Sequence, residues 1–185
     1  GNKLKFDLQS DKPWLGKALR IELNDLSKSV TIFYATTSES AALQWLNPEQ
    51  TEGKKHPFLF TQGQAILSRT WIPIQDSPGI RFTWEAEITT PKELMAVMSG
   101  NNPQERSENG VYKFRMNQPV PAYLVALAVG DLQFISLSER TGVYAEPSMA
   151  PRAASELADM EKMLVAAEAL YGKYQWGRYD VIVLP

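Results

Sequence analysis

Two glutamine side chains separated by one glycine are the residues of this sequence best suited to recognising a ligand. They lie in the segment Gln62-Gly63-Gln64-Ala65, after a short apolar run. In an extended chain, residues two apart point to the same side, so both amides would project together and Gly63 would leave the backbone accessible. A primary amide donates and accepts hydrogen bonds, as a peptide backbone does. The spacing alone still favours the simpler interpretation, polar residues on an edge strand or loop.

Residue types that commonly carry catalysis are scarce. The sequence has one histidine, His56, and no cysteine, whereas a zinc site takes three or four ligands drawn mostly from His, Cys and carboxylates. A Ser-His-Asp triad would need the same His56, and no glycine pattern of a nucleophile elbow surrounds a serine. No glycine loop of the phosphate-cradling kind occurs either. We therefore expect a structural His56, no catalytic residue and no metal site in this chain.

Two other groups of side chains could do chemistry, but each has a structural explanation that we favour. Four aromatic residues could form a sugar-stacking platform, although aromatic residues on strands are usually core. They are Trp71, Trp84, Tyr123 and Phe134. Four carboxylates of the predicted helix could suggest acid chemistry, although a solvated helix face opposite an apolar stripe explains them better. They are Glu156, Asp159, Glu161 and Glu168.

Composition narrows the class of protein. The 185 residues are 44% hydrophobic, enough for a sizeable core in one domain, or in one domain and part of a second. Lys and Arg number 19 against 21 Asp and Glu, a net charge of −2. This balance leaves no basic surplus for phosphates, so we expect no nucleic-acid partner. No apolar run approaches the roughly 18 residues of a membrane span.

The order of hydrophobic patterns predicts a mainly β chain. Alternating or β-branched stretches predict strands over 4–8, 17–23, 30–35, 58–60, 66–71, 81–89, 94–98, 111–116, 123–129 and 132–137. Residues 38–57 are predicted to be a long ordered loop, and 100–110 a hairpin loop. A helix is expected from Ser148, with Pro151 in its first turn and Gly172 at its end. An apolar strand over 179–184 follows it.

The change of character after residue 138 predicts two domains. We assign 1–142 to a β-rich domain and 143–185 to the incomplete start of a second one, because one helix and one apolar strand cannot form a core alone. The first residues begin with Gly1 in a strand-like pattern and without an initiator Met. We therefore expect the chain to be a piece of a longer protein.

Long motifs between Ser40 and Pro185 resemble a known family. They include Ser40-Ala-Ala-Leu-Gln-Trp-Leu-Asn-Pro-Glu-Gln-Thr, His56-Pro-Phe-Leu-Phe-Thr-Gln-Gly-Gln-Ala, Pro91-Lys-Glu-Leu-Met-Ala-Val-Met-Ser, Pro121-Ala-Tyr-Leu-Val-Ala-Leu-Ala-Val-Gly and Trp176-Gly-Arg-Tyr-Asp-Val-Ile-Val-Leu-Pro. The segment Arg69–Pro78 matches too. All are similar to the leukotriene-A hydrolase branch of the gluzincin zinc aminopeptidases, the wider family of aminopeptidase N.

The resemblance implies a saddle-shaped, multi-sheet N-terminal domain packed on a thermolysin-like catalytic domain whose first helix and strand are present here. The Gly-x-Met-Glu-Asn motif, the His-Glu-x-x-His zinc helix and the oxyanion tyrosine would follow Pro185. Zinc is therefore expected in the full-length parent and not in this fragment, which alone would be inactive. The implied partners are peptide substrates and the remainder of the catalytic domain.

The resemblance also gives the two glutamines a role. Gln62, Gln64 and Ala65 match residues that line the substrate entrance, with Gln64 near the first residue of the peptide. Gly63 stands where the mammalian relative has a bulkier residue, so we expect a bacterial aminopeptidase, cytoplasmic or exported, without epoxide-hydrolase activity. The competing hypothesis is a free-standing β-rich peptide- or protein-binding module without catalysis. A third is dimerisation through an exposed apolar surface of the incomplete domain.

Overall fold

The computed structural model describes residues 3–24, 26 and 28–185, in two compact units, Gly1–Thr37 and Ser38–Pro185. In the first unit, β1 (Phe6–Leu8) pairs antiparallel with β2 (Leu19–Ile21). Both strands were predicted, and both are shorter than their patterns. The strand predicted over 30–35 is wrong, because these residues form no ladder, and Phe33 is 94% exposed. An apolar run forms a strand only where a partner offers hydrogen bonds.

The second unit holds the other regular elements that the structure describes. In chain order they are β3 (Leu43–Leu46), β4 (Phe58–Thr61), β5 (Arg81–Thr89), β6 (Met95–Met98), β7 (Val111–Pro121), β8 (Leu127–Gly130), β9 (Gln133–Ser136), β10 (Thr141–Ala145), α1 (Ala150–Glu156), α2 (Met160–Tyr171) and β11 (Tyr179–Ile182). Short 3-10 turns occupy Pro48–Gln50, Ser68–Thr70 and Ala122–Leu124. The fold is mainly β with several sheets, as predicted.

A four-stranded antiparallel sheet in the order β3-β4-β8-β6 is the centre of this unit. Its buried side chains, among them Phe58 and Met95, share one core with residues of β7 and β10. The pairing of β6 with β8 corrects one prediction. Residues 100–110 are not a hairpin loop, because β7 pairs with β5 and not with β6. Local patterns mark strands but do not specify which distant strands pair.

In the β5–β7 ribbon, both ends of β5 lie at the residues that the sequence predicted. In β5 the burial alternates at every position, with Trp84 and its same-face neighbours packed against the core and the other face exposed. The exposed face carries the cross-strand ion pairs Glu87–Lys113 (3.5 Å) and Glu85–Arg115 (3.3 Å). Such exposed pairs contribute little to stability. The strand is therefore specified by the alternation of partly buried and exposed side chains along it.

The segment 38–57 is ordered, as predicted, but it contains β3 and a 3-10 turn. Its middle is fixed by Glu146, a buried carboxylate that accepts hydrogen bonds from the backbone N–H groups of Glu52 (2.7 Å) and Gly53 (3.1 Å). Residues 94 positions apart are thereby joined. A buried carboxylate must be paired or hydrogen-bonded, and here backbone donors of the loop fill that need.

The region after residue 138 differs most from its prediction. No strand was predicted between residues 138 and 146, but this stretch contains β10, which is buried along its whole length between β9 and the parallel strand β11. The expected single helix is two helices, α1 and α2, and Gly172 ends the second at φ +89°. The position of a domain boundary after residue 142 remains a prediction. In the part of the chain that the structure describes, no helix has the length and apolar character to cross a bilayer.

Candidate functional site

The two glutamines lie in a turn that directly follows β4, and we call residues 62–67 the glutamine turn. Its first residue still follows the sheet, because the N–H of Gln62 donates to the carbonyl of Ala42 at 2.9 Å. The chain then reverses, and the N–H of Leu67 donates to the carbonyl of Gly63 at 2.9 Å. The peptide bond between Gln64 and Ala65 is cis. The extended structure predicted over 66–71 is therefore wrong, since these residues form the turn and the 3-10 turn after it.

The two amides have different surroundings. The side-chain oxygen of Gln62 accepts a hydrogen bond from the backbone N–H of Gln64 at 3.1 Å, so part of its capacity serves the turn itself. Gln64 and Ala65 are exposed. Among the described residues, none hydrogen-bonds the Gln64 side chain. Gln64 therefore presents a free donor and a free acceptor at the surface.

Gly63 is buried, which corrects the expectation that its backbone is open to a ligand. A Cβ atom at this position would lie 2.7 Å from the hydroxyl of Ser68 and 3.0 Å from the carbonyl oxygen of Tyr123. Both distances are shorter than an ordinary van der Waals contact. The glycine is thus required because the turn packs directly on the backbone of the 3-10 turn Ala122–Leu124.

Two buried side chains, Ser68 and Asp76, stabilise the chain that directly follows the turn. The hydroxyl of Ser68, which is fully buried, donates to the carbonyl of Ala122 at 2.9 Å. The carboxylate of Asp76 accepts from the N–H of Arg69 at 2.9 Å, and the guanidinium of Arg69 donates to the Asp76 carbonyl at 2.6 Å. Asp76 lies in a segment with two prolines and a glycine, where aspartate commonly bonds to nearby backbone amides. Nothing in the sequence indicated Ser68, whose partner is 54 positions away.

His56 belongs to the loop before β4 and is partly exposed. Its carbonyl accepts a hydrogen bond from the Thr51 hydroxyl at 3.2 Å. Within residues 3–24, 26 and 28–185, no three His, Cys, Asp or Glu side chains are grouped so as to hold a metal ion. With one histidine and no cysteine, the donors present do not fit a zinc site of the usual composition.

The aromatic candidates do not form a common platform. Trp71, Trp84 and Phe134 pack against the core as expected, although Trp71 follows a 3-10 turn and does not lie on a strand. Tyr123 lies in the 3-10 turn, where its backbone faces Gly63. These side chains therefore contribute packing, and Tyr123 contributes to the wall behind the glutamine turn.

The acidic candidates on the helices divide into two kinds. Glu161 and Glu168 are not a solvated face, because both bind Arg140 in the turn between β9 and β10, at 2.9 and 2.7 Å. Hydrogen bonds from Arg140 and from the Tyr174 N–H lower the pKa of Glu168 to about 2. Hydrogen bonds from Ser138 and Arg140 lower the pKa of Glu161, and the two carboxylates raise the pKa of Arg140. These shifts belong to an ion-paired anchor of α2.

The other two acids of this set face solvent. Glu156, at the end of α1, is exposed. Asp159 is also exposed and pairs with Lys162 at 2.7 Å. Because such pairs are strongly hydrated, these residues match the solvated face that the sequence predicted.

Comparison with known proteins identifies the family of this chain. The model of the peptidase M1 N-terminal domain matches residues 8–124. Leukotriene A-4 hydrolase of Xenopus laevis is 45% identical over 161 residues, which cover 84% of this chain and 26% of that protein. Aminopeptidase B of Rattus norvegicus is 43% identical over 148 residues, 80% of this chain and 23% of that protein. The chain thus spans about a quarter of the length of these curated relatives.

Solved structures agree with the sequence matches. Native leukotriene A4 hydrolase from Saccharomyces cerevisiae superposes with a TM-score of 0.89 at 35% identity, covering 100% of this chain and 29% of that one. The M1 zinc metallopeptidase from Deinococcus radiodurans has a TM-score of 0.58 at 22% identity over 69% of this chain and 32% of that one, a likeness of fold alone. The motifs and the family match therefore agree, and this chain belongs to the M1 peptidase (gluzincin) family and carries its N-terminal domain.

Proposed function

We propose that this chain is the N-terminal portion of a zinc-dependent aminopeptidase and supplies one wall of its peptide-binding site. The observation that carries the proposal is the exposed, unpaired amide of Gln64 in a chain 45% identical to a leukotriene A-4 hydrolase over 84% of its length. The reaction would need a metal-activated water. The residues described here do not supply the metal ligands, so zinc would be held by the remainder of the full-length protein.

In this proposal, Gln64 hydrogen-bonds the backbone of the first residue of a peptide. Its side chain offers both a donor and an acceptor, which matches the paired N–H and C=O groups of an extended peptide. Gln62 contributes less, because its oxygen already accepts from the Gln64 N–H at 3.1 Å and its side chain is held to the turn by that bond. Ala65, exposed and without a polar side chain, would border the site by its surface.

The region from residue 143 would then be the start of a thermolysin-like catalytic domain. Supporting this is the exposed apolar surface of α2, where Leu170 is 76% and Tyr171 is 87% exposed. Surfaces of this kind usually meet another part of a protein. The remainder of the catalytic domain is accordingly the proposed partner, with peptides as substrates in the cytoplasm or an exported compartment.

The test is the kinetics of Gln64→Ala in the full-length protein, with an aminoacyl p-nitroanilide and a short peptide as substrates. Loss of one or two hydrogen bonds to the bound peptide should lower kcat/KM roughly tenfold. Gln133→Ala, the same change at an exposed position of β9, is the matched control and should leave kcat/KM unaltered. No hydrolysis by the wild-type full-length protein would refute the aminopeptidase proposal. Equal kcat/KM for Gln64→Ala and wild type would refute the role of Gln64 alone.

A further inference from the structure

A continuous set of hydrogen bonds surrounds the glutamine turn, and the hydroxyl of Thr70 closes it. The carbonyl of Ala42 accepts from the N–H of Gln62 at 2.9 Å, and the N–H of Ala42 donates to Thr70 Oγ1 at 3.1 Å. Thr70 Oγ1 donates to the carbonyl of Leu67 at 2.7 Å, and the N–H of Leu67 donates to the carbonyl of Gly63 at 2.9 Å. The chain of bonds thus begins at Gln62 and returns to Gly63.

Every hydrogen-bonding position of the Thr70 hydroxyl is used. A hydroxyl has one hydrogen to donate and two lone pairs to accept with. The hydrogen goes to Leu67, and one lone pair takes the N–H of Ala42. Ser40 Oγ, at 2.9 Å, must then donate to the second lone pair. Every site on this oxygen is used, which fixes it in place.

Thr70 is half-buried, and two partners of its hydroxyl are buried. Ala42 is fully buried and Ser40 is buried, so neither group has an easy alternative partner in solvent. A buried donor or acceptor that loses its partner is costly. Removing the hydroxyl would leave the N–H of Ala42 and the hydroxyl of Ser40 without their acceptor, whereas the carbonyl of Leu67 would keep its bond from the Thr70 N–H at 2.9 Å. The turn would have to move to satisfy these two donors.

We infer that Thr70 is a positioning residue for Gln64, an inference that rests on the proposed function of the glutamine turn. Gln64 lies between Gly63 and Leu67, the two residues joined by the last bond of the set. The hydroxyl of Thr70 holds Leu67, and through Ala42 it holds Gln62, so both ends of the turn keep their place beside β3 and β4. The Gln64 amide is thereby held ready for a peptide before the peptide binds, which lowers the cost of binding.

The experiment compares Thr70→Val, which keeps the shape and loses the hydroxyl, with Thr70→Ser, which keeps the hydroxyl. In the full-length protein, Thr70→Val should raise KM for a peptide substrate roughly tenfold, since small misplacement of a positioning group is costly, and should leave kcat within about twofold. Thr70→Ser should stay within about twofold of wild type in both. In a Gln64→Ala background, Thr70→Val should have little further effect, because it acts through Gln64.

A second threonine provides the matched control. Thr90 is also buried, and its hydroxyl contacts the carbonyls of Pro91 and Leu94, both at 3.1 Å, in another part of the chain. Thr90→Val should lower stability without changing KM. Amide hydrogen exchange of the 185-residue chain supplies a readout that needs no activity. Exchange at Leu67 and Gln62 should be faster in Thr70→Val than in wild type or Thr70→Ser.

Each contrary result would refute one part of the inference about Thr70. The same KM for Thr70→Val as for wild type, or an equal defect in Thr70→Ser, would overturn the role of the hydroxyl. A full additional defect in the Gln64→Ala background would overturn the route through Gln64. If the wild-type full-length protein were inactive, the proposed function would fail, and unchanged exchange at Leu67 would then overturn the inference about Thr70 separately.

Discussion

At the scale of single residues, the glutamine turn depends on the absence of a side chain as much as on the presence of one. Gly63 lets the turn approach the backbone of Tyr123, and a Cβ atom there would come within 3.0 Å of a carbonyl oxygen that cannot rotate away. It would also displace the Ser68 hydroxyl from its bond to Ala122. The direction in which Gln64 points is therefore set by a residue with no functional group of its own.

Gly63→Ala is accordingly expected to destabilise the chain. The extra methyl group must push apart two packed turns, which typically costs about 1–3 kcal/mol. Urea unfolding followed by tryptophan fluorescence should show a lower midpoint. Gly79→Ala is the matched control, since a Cβ at Gly79 meets nothing within 4 Å, and it should be neutral or slightly stabilising. Identical midpoints for the two variants would mean that Gly63 is not tightly packed.

At the scale of elements, whether a strand could be predicted from the sequence depended on whether one or both of its faces are buried. β5 was predicted to the residue because one of its faces is partly buried against the core and the other is exposed, so its sequence alternates. β10 was missed because it is buried on both faces and its five residues, Thr141–Ala145, show no alternation. The partners of β6 and β7 were missed because pairing is decided by distant parts of the chain.

The same reasoning applies to the site. The residue types and the short spacing of Gln62 and Gln64 were visible in the sequence, and so was the glycine between them. The turn that places the two glutamines in different surroundings was not visible in the sequence. It is stabilised by long-range hydrogen bonds, such as those of Ser68 and Thr70. Such bonds join residues 54 and 28 positions apart. A serine or threonine carries no mark of a distant partner.

One element, α2, is fastened by charge, and this makes the stability of the chain depend on pH. Glu168 accepts two hydrogen bonds from Arg140, at 2.7 and 2.8 Å, and its pKa falls from 4.5 to about 2. The folded state therefore binds fewer protons than the unfolded state in this range. The stabilisation is present above pH 4.5 and is lost as the pH falls towards 2.

The expected result is that Glu168→Gln lowers the unfolding midpoint at pH 6 and that its difference from wild type shrinks as the pH is lowered to 2.5. Thermal unfolding followed by circular dichroism at several pH values would measure it. Glu156→Gln, the same change at an exposed glutamate of α1, should follow the wild-type curve throughout. A pH-independent difference between Glu168→Gln and wild type would show that the Arg140 pair does not titrate with folding.

At the scale of the whole molecule, binding groups and catalytic groups are on different parts of the M1 enzyme we propose. The chain belongs to a family of metallopeptidases, yet it covers only 26% of a relative such as the Xenopus hydrolase. Its donors, with one histidine and no cysteine, do not fit a zinc site. What it does carry is a firmly braced turn with a free amide. Substrate positioning and metal chemistry would then be separable by experiment.

The 185-residue chain should therefore bind no stoichiometric zinc and should not hydrolyse an aminoacyl p-nitroanilide. The full-length protein should bind zinc and should hydrolyse this substrate. Zinc per chain can be measured by mass spectrometry after gel filtration, and turnover can be measured in the same fractions. His56→Ala is the control for weak surface binding, because zinc held loosely by this one partly exposed imidazole would be lost in the variant. One zinc per 185-residue chain, or turnover that co-elutes with it, would place catalytic groups within this portion and overturn the separation of binding from catalysis.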